Sequence, residues 1–146
     1  MSVETLIREI QESRTKYQLF NPEGATEAIV AMTSRQFELS FAQSLPEAYQ
    51  QLLRISDGLM ENGLKIWPCA PHWKFTESVV SANREMRDSV SEDFLYFGQR
   101  DDSVFVLETS TGRWLAVELN GLAVWEEFSD FEAMLTFMLE RALGRG

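Results

Sequence analysis

Cysteine and histidine are nearly absent from this chain of 146 residues, which has one of each, Cys69 and His72. One cysteine excludes an intramolecular disulfide. Cys69 and His72 together supply two ligands where a structural zinc site needs four, so no metal is expected. A lone cysteine more often packs as a small hydrophobe than reacts. No run approaches the roughly 20 consecutive apolar residues that span a bilayer. Basic residues are few, 13 Lys and Arg against 23 Asp and Glu, for a net charge of −10. A surface this acidic is repelled by phosphate backbones and anionic lipid, so nucleic-acid and membrane-surface binding are disfavoured. Also missing are a glycine-rich phosphate loop, a nucleophile elbow and a metalloprotease helix, and no cofactor is expected. The stretch MSVETLIREIQESR is charged and amphipathic and lacks the apolar centre of a secretion signal. The expected compartment is the cytoplasm.

Hydrophobic residues make up 45% and charged residues 25%, the balance of a folded globular chain, and ten Phe and four Trp bring large surfaces to bury. Length and composition predict a single domain over residues 1–146. The acidity has two readings. It can simply keep the protein solvated, or its field can speed encounter with a basic protein partner.

Apolar spacing predicts a helix over 3–17, capped by Ser2, with Val3, Leu6, Ile7 and Ile10 on one face that fades after Ile10. Asn21 to Gly24 breaks it. Thr26 can cap a shorter helix carrying Ile29, Val30 and Met32. Phe37, Leu39 and Phe41 alternate with polar residues as in a short strand. Ser44 and Glu47 have capping-box spacing before a helix whose inner face is Leu45, Tyr49, Leu52, Leu53 and Ser56. Asp57-Gly58 ends that helix. Asn62-Gly63 predicts a tight turn into a strand, Leu64 to Trp67, that Pro68 stops. Residues 69–75 read as a loop and 76–87 as a helix with Val79, Val80, Asn83 and Met86 inward.

From Phe94 the period changes to two, and four strands follow: FLYFG, SVFVLE, RWLAVEL and LAVWEEF. A helix closes the pattern, opened at Ser129 with Glu132 and burying Phe131, Met134, Leu135, Met138 and Ala142. The expected fold is α+β: a mainly antiparallel sheet of about five or six strands flanked by helices. A four-residue loop at Thr109–Gly112 pairs Phe105 with Ala116 and Val106 with Leu115. A two-residue loop at Asn120-Gly121 pairs Leu119 with Leu122 and Ala116 with Trp125. These registers place Val104, Val106, Leu115, Val117, Leu119, Leu122 and Val124 on an aliphatic face, which the last helix should cover. The other face holds Phe105, Leu107, Trp114, Ala116 and Trp125, edged by Glu118 and Glu127. It is either covered by the N-terminal helices or open as an aromatic patch with an acidic rim.

Carboxylates cluster at Asp88/Glu92/Asp93, Asp101/Asp102 and Glu126/Glu127. On loops such clusters are usually solvated, and Asp101-Asp102 suits a turn. No reaction class is supported, and the chain is not expected to be an enzyme.

LPEAYQQLLRISDG followed by NGLKIWP resembles the SUKH superfamily, the Smi/Knr-like proteins, and within it the bacterial YrhA-like branch. The matching positions are Leu45, Pro46, Tyr49, Leu53, Asp57, Gly58 and Ile66. FNPEGATEAIVAM, with Pro22 and Ile29, is similar to the family's first turn and helix. YFGQRDDSVFVLETSTGRW is similar to its strand, loop, strand and Thr-Gly turn. The chain departs from the family at Gly98 to Asp102, where glycines are usual, and at the apolar ELNGLAVW. The resemblance implies an α+β fold without catalytic activity. It also implies, for many bacterial members, an immunity protein that neutralises a toxin by stoichiometric binding.

Two expectations follow. One is a toxin-neutralising immunity protein whose partner is a basic toxin domain, such as a nuclease, bound through Trp114, Trp125, Glu118, Glu127, Asp101 and Asp102. The other is an intracellular regulatory or scaffold module holding a peptide or small ligand near Trp67, Trp73 and His72.

Overall fold

Residues 2–145 are described by the computed structural model, which places five helices around one antiparallel sheet of six strands. This is the expected α+β class. Helix α1 (Val3–Lys16) begins where the Ser2 hydroxyl accepts the Thr5 N–H, and it buries Val3, Leu6, Ile7 and Ile10. Its inner stripe does not fade after Ile10, because Arg14 is buried too. The Arg14 guanidinium donates to the Phe20 carbonyl (3.0 and 2.8 Å) and the Met60 carbonyl (2.7 Å) and pairs with Glu61. A buried cation is tolerable when its donors are satisfied in this way.

Helix α2 (Glu27–Phe41) has the expected cap, Thr26 accepting the Ile29 N–H, but it is longer than expected. It absorbs Phe37–Phe41, where a strand was expected. The buried residues Val30, Thr33 and Phe37 recur every three to four positions, and this helical period outweighs the short alternation. Ile29 and Met32, expected on the inner stripe, face solvent. Helix α3 (Glu47–Ile55) buries Leu45, Tyr49, Leu52, Leu53 and Ser56 as expected, but its N-cap is Pro46 and no side chain caps it, Ser44 included. The preceding segment lies against its C-terminal end, with Ala25 N–H on the Leu53 carbonyl and Asp57 N–H on the Glu23 carbonyl. Between them Gly24 has no room for a side chain: a Cβ would stand 1.9 Å from the Arg54 oxygen.

Strand β1 (Leu59–Glu61) was not foreseen; three residues are too few to show a period. It pairs with β2 (Leu64–Ile66) across Asn62 and Gly63, both left-handed (φ 49° and 81°), as a two-residue hairpin requires. Helix α4 (Val79–Ser89) starts three residues later than the expected 76, at a capping box made by Ser78 and Ser81, and ends two residues beyond the expected 87. It lies beside β3 (Phe94–Arg100), whose first half pairs with β4 on one side and lacks a strand on the other, because β2 reaches only Gln99 and Arg100. Asn83 fills the gap. Its Oδ1 accepts the Tyr96 N–H at 2.6 Å and its Nδ2 donates to the Tyr96 carbonyl at 2.8 Å, so a side-chain amide replaces a strand.

Strands β4 (Ser103–Glu108) and β5 (Arg113–Glu118) pair in the expected register, Phe105 with Ala116 and Val106 with Leu115. The next connection differs. Strand β6 (Val124–Phe128) pairs Val117 with Val124 as expected, but Ala116 then opposes Glu126 rather than Trp125. Trp125 is the extra residue of a bulge. The turn is wider than two residues, with Gly121 and Leu122 both left-handed and the Glu118 N–H reaching the Ala123 carbonyl. The slip sends Glu127 to the opposite face, beside Leu115.

Helix α5 (Phe131–Ala142) buries the expected residues, and its cap is Asp130 rather than Ser129. It covers the aromatic face of the sheet, not the aliphatic one. Phe131 packs on Trp114 and Phe97, and Phe137 on Phe105, Trp125 and Phe128. Apolar identity alone did not reveal this, because fit decides it. Gly98 and Ala116 hollow this face, and a Cβ on Gly98 would strike Met138 Sδ at 2.6 Å. Phe37, Tyr49, Trp114 and Phe131 converge on Phe97, joining α2, α3, β5 and α5 into one core. The aliphatic residues Val104, Val106, Leu115 and Val117 are also buried, and at one end of their face Arg113 bridges Glu108 and Glu127.

Candidate functional site

Four of the six residues expected to meet a partner come together at one cavity of about 230 Å3, lined by Asp101, Asp102, Glu118 and Trp125 with Arg100 and Arg141. Asp101 and Asp102 form the turn between β3 and β4, with Asp101 left-handed (φ 54°), a conformation aspartate accepts more readily than most residues. Trp125 stands at the bulge, about a third exposed, its ring against Phe105 and Phe137 and its Nε1–H on Ser103 Oγ at 3.2 Å. Ser103 in turn donates to Glu118 at 3.3 Å.

Trp114 and Glu127 are not part of it. Trp114 is packed beneath α5 against Phe97 and Phe131, so it serves the core. Glu127 is on the other face with Arg113, because of the bulge. Sequence reasoning missed Arg141. Its guanidinium lies 4.6 Å from the Phe137 ring and 5.5 Å from the Trp125 ring, and its Nε is buried without a hydrogen-bond partner. The helical period that places Met134 and Met138 on the sheet also carries Arg141 there, and that signal was present in the sequence.

A second cavity, about 320 Å3, adjoins the Asn62-Gly63 turn, and Trp73 lines it. Of the three residues expected to form a groove here, only Trp73 does so. Trp67 is buried, with its carbonyl accepting the Tyr49 hydroxyl at 2.7 Å. His72 Nε2 is 2.7 Å from the Asp57 carbonyl oxygen, which can only accept, so that nitrogen carries a proton.

The displaced titrations belong to structural contacts. Burial pushes the Tyr49 phenol well above its ordinary value. Burial, opposed by a Thr33 hydrogen bond, pushes the Cys69 thiol up to about 11. The Thr111 hydroxyl and then Arg113 hold Glu108 below the usual carboxylate range. Among the described residues, no group of three or more His, Cys, Asp or Glu is placed to hold a metal ion, and no helix is long and apolar enough to cross a membrane.

No family model and no curated protein matches the chain. The likeness to the SUKH superfamily therefore rests on the residues quoted for it.

Proposed function

We propose that the chain is a non-enzymatic protein-binding module, an immunity protein that neutralises a basic toxin domain by stoichiometric binding. The observation that carries this reading is the β6 edge. Strand β6 ends the sheet, and among the described residues its backbone pairs only with β5. Val124, Trp125, Glu126 and Glu127 are exposed along it, and the cavity with Asp101, Asp102 and Glu118 adjoins Trp125. An open edge accepts an added strand from a partner. Paired glutamates on that edge repel a second copy of the same chain, yet favour a basic strand. Trp125 supplies an aromatic anchor of the kind that concentrates binding energy.

Growth rescue on co-expression with a toxin encoded beside this gene tests the reading. The wild-type chain should rescue and E126K/E127K should not, with both folded by circular dichroism. Trp125→Ala should weaken toxin binding by about 2 kcal/mol, roughly 30-fold. Absence of rescue by the wild type, or equal rescue by the charge-reversed chain, refutes it. The second reading, a regulatory or scaffold module, draws on the Trp73 cavity. A pull-down from the native cell that returns a signalling or envelope protein, and no toxin, selects it instead.

A further inference from the structure

The chain contains only three lysines, Lys16, Lys65 and Lys74. Two of them, Lys65 and Lys74, stand on the cavity beside the Asn62-Gly63 turn, whose apolar lining is Leu19, Met60, Leu64 and Trp73. We propose that this cavity docks a short acidic segment of a partner protein, which inserts one large apolar side chain between the lysines. The site is separate from the β6 edge, and the inference does not rest on the toxin reading.

Three observations support it. The first is apolar exposure: Leu19 and Phe20 are each about half exposed and Trp73 about a third, with the Phe20 and Trp73 rings 5.1 Å apart. Large apolar side chains grouped on a surface mark interaction sites more often than scattered ones do. The second is strain. Trp73 is left-handed (φ 54°), an unfavourable state for a bulky residue, and it is held there by a fixed loop. The Phe75 N–H bonds the His72 carbonyl at 2.9 Å, and His72 is tied to Asp57. The loop presents the indole at the cavity while its neighbours Trp67 and Phe75 are buried.

The third is charge. The lining holds Arg14, Lys65 and Lys74 against one carboxylate, Glu61, a local balance of +2 in a chain of net charge −10. Arg14 and Lys74 both lie over the Trp73 ring, at 5.4 and 5.5 Å. A concave apolar floor with a cationic rim complements an apolar side chain flanked by carboxylates. An extended polyanion or an anionic bilayer would meet the repulsion of the whole acidic surface. A short segment meets mainly charges within a Debye length of about 8 Å.

The probe is a fluorescein-labelled octapeptide with Leu-Phe at its centre and Asp or Glu elsewhere, followed by anisotropy with the full chain. It should bind, and more weakly as salt is raised. A peptide with Ser-Ser at the centre should bind at least about tenfold more weakly, as should the acidic peptide to K65E/K74E or to Trp73→Ala. E126K/E127K should bind it unchanged, which separates this site from the toxin surface. K65E/K74E, at a half-buried and an exposed lysine, decides the matter if Trp73→Ala fails to fold. No binding, equal binding of the Ser-Ser peptide, or indifference to K65E/K74E overturns the proposal. So does tighter binding to oligouridine or phosphatidylserine vesicles, or self-association that K65E/K74E abolishes.

Discussion

Replacing Asn83 with alanine should be among the most damaging single changes on α4, for a reason the structure makes quantitative. Asn83 is fully buried and bonds both backbone groups of Tyr96 on the side β2 does not reach. Its Nδ2 also donates to the Val79 carbonyl, which the helix serves independently. Alanine would leave a buried N–H and a buried carbonyl unpaired, at about 1–3 kcal/mol each. The missing amide leaves a small void worth about 1 kcal/mol more. The expected loss is about 3–7 kcal/mol, a large share of the roughly 5–15 kcal/mol that holds a domain. With an unfolding entropy of about 0.3 kcal/mol/K for a chain of this length, Tm should fall by about 10–23 °C. Urea titration followed by circular dichroism measures the loss, with the m value unchanged if both chains unfold in one step. A loss below about 1 kcal/mol would refute the reasoning, because it would mean that water reaches Tyr96 as easily as Asn83 does.

Two glycines should respond differently to alanine. At Gly24 the new Cβ meets backbone, the Arg54 carbonyl, and at Gly98 it meets the thioether of Met138, which has rotamers to spare. Gly24→Ala should therefore cost about 3 kcal/mol or more and Gly98→Ala about 1–2 kcal/mol, a ranking that urea midpoints check. Cys69 should be a poor nucleophile. With its thiol pushed to about 11, roughly 0.1% is thiolate at pH 8, against about a tenth at the ordinary value of 9.0, so alkylation should run about 100-fold faster in urea than in the native protein. The same shift has a stability consequence. Between the ordinary value of 9.0 and about 11 the unfolded chain binds fewer protons at this site than the folded one. This contribution to stability therefore falls as pH rises through that window, and Cys69→Ser should remove the effect.

The six-strand sheet pairs every strand with its sequence neighbour, and this is why so much of it was legible. Period-two alternation marked β3 to β6, and turn chemistry at Asn62-Gly63 and Thr109–Gly112 set registers by local geometry alone. Ser2, Thr26 and the inner face of α3 were equally local, since a cap or a stripe depends on residues a few positions apart. These features the amino-acid sequence determined by itself, together with the acidity and the absence of disulfide chemistry.

Tertiary packing decided what local pattern could not. The bulge at Trp125 depends on how the β5–β6 connection leans on Asp102, whose carbonyl takes the Leu119 N–H, and it separates Glu127 from Trp125. Which face α5 covers depends on the hollow at Gly98 and Ala116, a matter of shape rather than hydrophobicity. The candidate surfaces follow from these choices. Asp101, Glu118, Trp125 and Arg141 meet because a turn, two strands and a helix arrive at one place, and Leu19, Lys65 and Trp73 meet because two loops and a hairpin do. Chain periodicity reports which side of its own element a residue occupies; contacts between distant elements are set only when the core closes.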